Sequence, residues 1–305
     1  MPSLEIPYAD FFDSIDPLDL QIEKTQALFS TAAALSTSIS FFMMWQDEFG
    51  YVLARKNNFS FIAAWYGSYV YFPVPPEPFT AEGLQIAFDY MQKVNGPGTG
   101  VSRIEGLTQK QQEQAQSWGF KGRLTLSEYI YDRQRLAGLH GDSYRARRAE
   151  VNHFLKENSV IFRPYRADDL TACVNLYKLW KDQRLPALHD EIGEKMIRAS
   201  QKVHFRALYQ GGDWGMDAWV VLVDQRLAAY TVGAALSTDV YGIYTEVTDL
   251  TIKGLSAYIF VNVCRQLEAY TFINTGDAEG LPRLAESKEH WHPVEKLKLF
   301  AVDPR

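Results

Sequence analysis

The order of strand-like and helix-like segments is the feature that most limits how this chain can fold. Both halves of the 305-residue sequence alternate short aromatic and β-branched runs with helical patterns, in a similar succession although their residues scarcely match. This succession predicts mixed sheets of the α+β class. At about 150 residues per domain, the length suggests two domains. We therefore predict two tandem copies of one architecture.

In the first half, a group of strand-like runs predicts an antiparallel meander, which a proline-rich stretch ends. An alanine-rich helix is predicted before the meander, over Lys24–Leu35. The predicted meander runs are Ser38–Gln46, Tyr51–Arg55, Phe59–Trp65 and Tyr69–Val74. They are followed by a helix over Thr80–Val94, a strand over Val101–Glu105, a polar helix from Thr108 and a strand over Leu124–Tyr131.

A basic amphipathic helix over Ser143–Glu157 is predicted to join the halves, which gives a domain at 1–142, a linker at 143–158 and a domain at 159–305. In the second half, predicted strands cover Ser159–Tyr165, His204–Tyr209, Ala218–Asp224, Arg226–Leu236, Tyr241–Thr245, Thr271–Asn274 and Val294–Val302. Predicted helices cover Asp168–Arg184, Asp190–Gln201, Gly254–Ala269 and Leu281–Glu289.

Composition excludes several classes of protein. A net charge of −6 argues against a dedicated nucleic-acid binder, although a local basic patch remains compatible with it. Cys173 and Cys264 form no CxxC pattern, which predicts neither a disulfide framework nor a thiolate metal site and favours a reducing, cytoplasmic compartment. Thr25–Gln46 has 22 residues without a charge, but nine are Ser, Thr or Gln. We therefore predict no signal peptide and no integral membrane segment.

The span Tyr244–Gly254 is the strongest local signal of a functional site. Glu246 is predicted at the end of a central strand, where a carboxylate suits a general base or a group that holds an ammonium. The helix start that follows predicts an anion- or phosphate-binding cofactor site formed by Ile252, Lys253, Gly254 and Leu255. An ordinary strand–loop–helix with a solvated glutamate fits the same residues equally well.

The basic helix and a pair of histidines are two further candidates for binding sites. Arg145, Arg147 and Arg148 of the basic helix could bind a phosphate-rich partner such as tRNA, or could be solvated or paired with acidic residues of the protein itself. His290 and His292 are the only histidines with a metal-like spacing, and no third ligand accompanies them. We predict no metal site.

Three segments resemble one known family. Ser127–Asp132, with Arg135–Gly141 and Tyr144–Arg148 after it, resembles the family's D-Y-V-Y…L…L-x-G-K-x-Y-x-x-K-R segment. Glu246–Gly254 is similar to its F-E-K-A-x-x-x-I-x-G segment. Asn274–Pro293 resembles its N-R-E-x-D-x-G-x-x-G-L-R-x-x-K-x-x-Y-x-P signature. From about residue 38 to the C-terminus, the chain resembles the phosphatidylglycerol lysyltransferase C-terminal-like domain.

The resemblance implies two tandem GNAT-like domains and, in the lipid-modifying members, transfer of an aminoacyl group from aminoacyl-tRNA to a lipid hydroxyl. With it, Glu246, Asn274 and Lys288 become the candidate catalytic residues, Lys288 offsetting negative charge that develops in the reaction. The sequence departs from the family at four positions where it has no charge: Thr275, Gly276, Ala278 and Ala285. These four positions therefore lack charges suited to binding a cationic aminoacyl group.

The leading interpretation is a transferase that moves an acyl group from acyl-CoA or aminoacyl-tRNA to an amine or hydroxyl acceptor. Acyl-CoA or aminoacyl-tRNA would then be a co-substrate, and no permanently bound cofactor is expected. The acceptor would be a small molecule or a lipid-like compound. The alternative is a non-catalytic protein that keeps the fold, has lost the active-site charges and binds a small molecule or nucleotide. The donor, the acceptor and the oligomeric state stay open.

Overall fold

A computed structural model of the chain describes residues 6–18, 25, 29, 34–97, 100–185 and 191–305. The chain forms two compact units, Met1–Glu128 with Lys296–Arg305, and Tyr129–Glu295. This division differs from the predicted ranges 1–142, 143–158 and 159–305. The segment predicted as a linker is a helix of the second unit, because its Val151 and Phe154 are buried in that unit's core. The last ten residues join the first unit through strand pairing.

The first unit contains an antiparallel sheet in the order β1–β2–β3–β4. Its strands are β1 (Ser14–Pro17), β2 (Val52–Lys56), β3 (Phe59–Tyr66) and β4 (Tyr69–Tyr71). The antiparallel pairing of β2, β3 and β4 confirms the predicted meander over these strands. The unit also contains β5 (Ile104–Leu107), β12 (Glu295–Asp303), which pairs with β5, and the first part of β6 (Lys121–Asp132). Its helices are α1 (Ile39–Phe49), α2 (Ala81–Asn95) and α3 (Gln109–Ser117).

The first predicted meander run, Ser38–Gln46, is wrong as a strand because these residues begin helix α1. The Ser38 hydroxyl accepts a hydrogen bond from the Phe41 N–H at 3.2 Å, which satisfies one of the free amides of the first turn. Gly50 ends the helix with φ +50°. The predicted helix Lys24–Leu35 lies mostly outside the described residues.

The second unit contains a mixed sheet in the order β6–β11–β10–β9–β8–β7, to which β6 contributes its last residues. Its other strands are β7 (Val160–Pro164), β8 (Met216–Val223), β9 (Arg226–Ala235), β10 (Val240–Thr248) and β11 (Phe272–Asn274). Its helices are α4 (Arg133–Gly138), α5 (Arg145–Glu157), α6 (Leu170–Arg184), α7 (Glu191–Gln210), α8 (Leu255–Gln266) and α9 (Pro282–Glu289).

The predicted strand His204–Tyr209 is wrong because these residues belong to the long helix α7. Val203 and Ala207 are buried four positions apart and Leu208 lies beside them, a helical spacing that packs one face of α7 onto the unit. The predicted helix Asp190–Gln201 starts at residue 190, which lies outside the described residues. The helix itself continues nine residues further, to Gln210.

The parallel pair β10–β11 positions the candidate site. The two strands pair only over Val240–Gly242 and Phe272–Asn274. β10 then continues to Thr248 along β9, with a bulge between Ile243 and Thr245. β10 therefore extends beyond the end of β11. The carboxyl ends of neighbouring parallel strands, where connections diverge, commonly form the binding crevice of such sheets.

None of the helices in the described part of the chain combines the length and the apolar run that crossing a bilayer requires.

Candidate active site

Glu246 lies on the part of β10 that extends past β11, opposite Thr231 of β9. Its carboxylate oxygen Oε1 accepts a hydrogen bond from the hydroxyl of Ser256 at 2.7 Å. Ser256 is the second residue of helix α8, which follows β10 after a short loop. The carboxylate is therefore held at the first turn of a helix, where the helix dipole favours negative charge.

The environment of Glu246 is suited to proton transfer near neutral pH. Burial raises the pKa of the Glu246 carboxyl from its ordinary 4.5 to about 7, and the hydrogen bond from Ser256 acts in the opposite direction. At pH 7 both protonation states are then populated. A general base works best when its pKa lies near the working pH.

The four residues predicted to bind a cofactor form the turn that leads into α8. Within this turn the Ile252 N–H donates to the Asp249 carbonyl at 3.2 Å, and the Leu255 N–H donates to the Ile252 carbonyl at 3.4 Å. Gly254 has φ +82°, while the Lys253 side chain is exposed. Two of the amides expected to hold an anion are thus bonded inside the turn. Cofactor binding by these residues stays a prediction.

Asn274 and Lys288 hold the loop that follows β11. Asn274 is fully buried, and its Oδ1 accepts a hydrogen bond from the Gly276 N–H at 2.8 Å. The Lys288 ammonium donates to the carbonyl of Thr275 at 2.5 Å, to its hydroxyl at 3.3 Å and to the carbonyl of Gly276 at 3.2 Å. Three oxygens therefore receive the three N–H groups of Lys288. The direct geometric role of both side chains is to shape this loop.

The end of α6 contacts the loop after β10. The Gln183 amide donates to the Asp249 carboxylate at 3.0 Å and accepts from the Leu250 N–H at 3.0 Å. In the loop after β11, burial and the charge of Asp277 raise the pKa of the Glu279 carboxyl, and the positive charges of Lys288 and Arg184 oppose that rise. The structure thus joins Glu246 to Ser256, and Asn274 to Lys288 through Thr275 and Gly276, at the ends of two neighbouring strands.

The three candidate nucleic-acid-binding arginines have different environments. Arg147 forms an ion pair with Glu150 at 2.8 Å, and its guanidinium lies 4.8 Å from the centre of the Trp291 ring. Arg148 donates to the carbonyls of Leu139 and Gly141. Arg145 is exposed at the start of α5. Two of the three side chains are therefore bonded inside the second unit, and nucleic-acid binding stays a prediction.

Ser256 is the site residue that the sequence did not single out. A serine in the first turn of a helix usually indicates only that the helix begins there. Local sequence patterns therefore could not predict its hydrogen bond to Glu246, ten positions earlier on a strand. Among the histidines, His292 is bonded to the Ser143 carbonyl at 3.2 Å. In the part of the chain that the structure describes, no group of three or more His, Cys, Asp or Glu side chains could hold a metal ion.

Residues 31–302 match the family profile described as phosphatidylglycerol lysyltransferase, C-terminal. The chain belongs to this family. No curated protein sequence is similar enough to count as a match. The shared fold is visible in solved structures, each too distant in sequence to indicate more than the fold.

A conserved protein of unknown function from Bacteroides thetaiotaomicron is 19% identical, with a TM-score of 0.81 over 93% of this chain and 96% of that one. L-PGS from Bacillus licheniformis is 13% identical, with a TM-score of 0.64 over 94% and 92%. A tandem GNAT protein from the clavulanic acid biosynthesis pathway is 11% identical, with a TM-score of 0.50 over 96% and 99%. The predicted fold, two tandem GNAT-like domains with mixed sheets, is confirmed.

Proposed function

We propose that this member of the family is an acyl or aminoacyl transferase in which Glu246 is the general base. The observation that carries the proposal is the Glu246 carboxylate itself, partly buried, bonded to Ser256 and with its pKa raised to about 7. An amine or hydroxyl of the acceptor attacks the donor carbonyl and gives its proton to Glu246. The bond to the leaving group then breaks, and the proton passes from Glu246 to the departing thiolate sulfur or alkoxide oxygen.

Acyl-CoA and aminoacyl-tRNA are the two donors that the fold and the family support. The acyl group itself need not be lysyl, since Thr275, Gly276 and Ala285 place no charge where the resembled signature carries it. We expect an acceptor that presents an amine or a hydroxyl, either as a small molecule or on a lipid-like compound.

Transfer of radiolabel tests the proposal. Labelled acetyl-CoA and labelled aminoacyl-tRNA are each incubated with panels of amines and glycerolipids, and product is counted for the wild type and for Glu246→Gln. Loss of the base predicts a fall in turnover of about 100-fold or more. Glu268→Gln, which changes an exposed glutamate of the same unit, is the matched control. Equal turnover in Glu246→Gln and the wild type would remove Glu246 from the mechanism.

One observation favours a second candidate, a protein that binds a ligand without turning it over. The three N–H groups of Lys288 already meet oxygens of Thr275 and Gly276, so this ammonium serves the protein's own loop. Stabilisation by CoA, a nucleotide or an amino acid, without product from any donor and acceptor in the panels, would support this candidate.

A further inference from the structure

Ser256 makes an unusual contact for a residue in the first turn of a helix. Serine hydroxyls near a helix start commonly bond to amides of the same turn. Here the hydroxyl donates to Glu246 on β10 at 2.7 Å, and the helix start is formed by Gly254, which has no side chain to cap it. The hydroxyl of Ser256 is therefore directed at the carboxylate instead of at its own helix.

The surroundings of Glu246 make this contact important. Within the described residues, no Lys, Arg or His forms an ion pair with Glu246, so a neutral hydroxyl is the donor that reaches it. The thiol of Cys264 on α8 is buried, and its pKa is raised by burial and by the negative charge of Glu246. The positive charges of Arg133 on α4 and Arg265 on α8 partly oppose this rise in the pKa of the thiol.

We propose that Ser256 is a positioning residue that fixes Oε1 of Glu246 and thereby directs Oε2 toward the proton of the acceptor. This inference rests on the proposed function, because it assigns Glu246 the role of base. The proton of Ser256 stays on its own oxygen throughout the reaction. Only the acceptor's proton moves, first to Oε2 of Glu246 and then to the leaving group.

The sign of the expected effect follows from the bond. A hydroxyl that donates to a carboxylate stabilises the ionised form, so removing the hydroxyl raises the pKa of Glu246. The ionised form is the one that can accept a proton. Its fraction at pH 7 therefore falls, by about fivefold if the acid dissociation constant changes tenfold. The rising limb of the pH profile of kcat/KM moves to higher pH.

A matched pair of variants separates the hydroxyl from side-chain shape. Ser256→Thr keeps a hydroxyl, and Ser256→Val has nearly the same shape without one; Ser256→Ala is the smaller deletion. Protein with carbon-13 in its glutamate carboxyls is titrated by NMR, and the Glu246 signal is identified by its absence in Glu246→Gln. We expect a higher midpoint in Ser256→Val and Ser256→Ala, and a midpoint near that of the wild type in Ser256→Thr. The same midpoint in all four proteins overturns the inference.

The two proposals can fail separately. Suppose the Glu246 midpoint shifts in Ser256→Val while Glu246→Gln keeps wild-type turnover; the proposed function is then wrong, and the role of Ser256 in catalysis is wrong with it, although the bond is real. Suppose instead that Glu246→Gln loses turnover while Ser256→Val keeps both the wild-type midpoint and the wild-type kcat. The base then stands, and the positioning role is wrong.

Discussion

At the scale of single residues, Gly254 shows how the packing around the candidate site depends on the absence of a side chain. Its φ of +82° is one that residues with a Cβ rarely adopt. A Cβ placed there would lie 2.9 Å from the Phe154 Cβ and 3.0 Å from the Glu150 carbonyl oxygen. Both of these atoms belong to α5, so Gly254 lets the start of α8 approach that helix. This close approach helps to set the position of Ser256, two residues further on.

Replacing Gly254 with alanine is predicted to destabilise the protein by about 1–3 kcal/mol, because the new methyl group meets backbone and Cβ atoms that cannot move away easily. Urea denaturation followed by circular dichroism measures the change as a lower midpoint. Gly212→Ala is the control, since nothing lies within 4 Å of the Cβ it would add. Equal midpoints for the two variants would contradict the packing argument.

His204 is a second residue whose environment predicts a measurable effect. Its Nδ1 is hydrogen bonded with the Tyr230 hydroxyl at 2.9 Å, and burial lowers the pKa of the ring to about 3. In the unfolded chain the ring of His204 takes up a proton near pH 6.5, whereas in the folded chain it stays neutral at that pH. The stability that the neutral ring contributes is therefore complete above pH 6.5 and is lost as the pH falls from 6.5 towards 3.

Between pH 7 and pH 5 this linkage is predicted to lower the free energy of unfolding of the wild type by about 2 kcal/mol relative to His204→Gln, which has no such proton to bind. Urea titrations of both proteins at the two pH values give the difference. His153→Gln, at an exposed position of α5, should follow the wild type. If His204→Gln also follows it, the ring is accessible to protons in the folded protein.

At the scale of elements, local patterns identified most helices and strands but failed where burial decided between them. α2 begins after Thr80 as expected, since the Thr80 hydroxyl accepts from the Gly83 N–H at 3.1 Å. Ser38–Gln46 and His204–Tyr209 both contain aromatic residues that are common in strands, yet both are helical because one face packs on a core. Motifs alone pointed to Glu246 and to the loop after β11 as candidates, and their role stays a prediction. The contact between Ser256 and Glu246 depends on the tertiary fold.

The loop after β11 gives a prediction about Lys288. Lys288→Met removes three donors from oxygens of Thr275 and Gly276 and is predicted to cost about 1–2 kcal/mol of stability. Hydrogen exchange should also become faster at the Gly276 amide, which donates to buried Asn274. Lys253→Met, at an exposed lysine, is the matched control. Unchanged exchange at Gly276 would mean that Asn274 holds the loop without Lys288.

Helix α5 gives a prediction about tRNA. Because Arg147 and Arg148 are bonded within the unit, exposed Arg145 is the arginine of this helix best placed to meet a phosphate. If α5 binds tRNA, Arg145→Glu should weaken retention in filter binding and reduce its dependence on salt. Lys93→Glu makes the same charge change at an exposed lysine of the first unit. Equal retention by both variants would contradict a tRNA-binding role for α5.

At the scale of the whole molecule, the candidate residues Glu246, Ser256, Asn274 and Lys288 all belong to the second unit. The number of domains followed from length and element order, whereas their limits did not. Local sequence patterns cannot show that β12, near the C-terminus, pairs with β5 some 190 positions earlier and so belongs to the first unit. Pairing across such a separation depends on tertiary contacts that no sequence motif indicates.

Whether the whole protein is an enzyme or only binds a ligand can be tested by measuring ligand binding and turnover in the same variant. A ligand that binds only the folded chain stabilises it by about 2.7 kcal/mol at one hundred times its dissociation constant. If the chain is a transferase, CoA or an aminoacyl-tRNA analogue should raise Tm equally in the wild type and in Glu246→Gln, because the base acts on the acceptor's proton and does not hold the donor. Turnover should fall in Glu246→Gln alone. An equal rise in Tm with no product from either protein would instead identify a binding protein, since the carboxylate at the end of β10 would then have no reaction to serve.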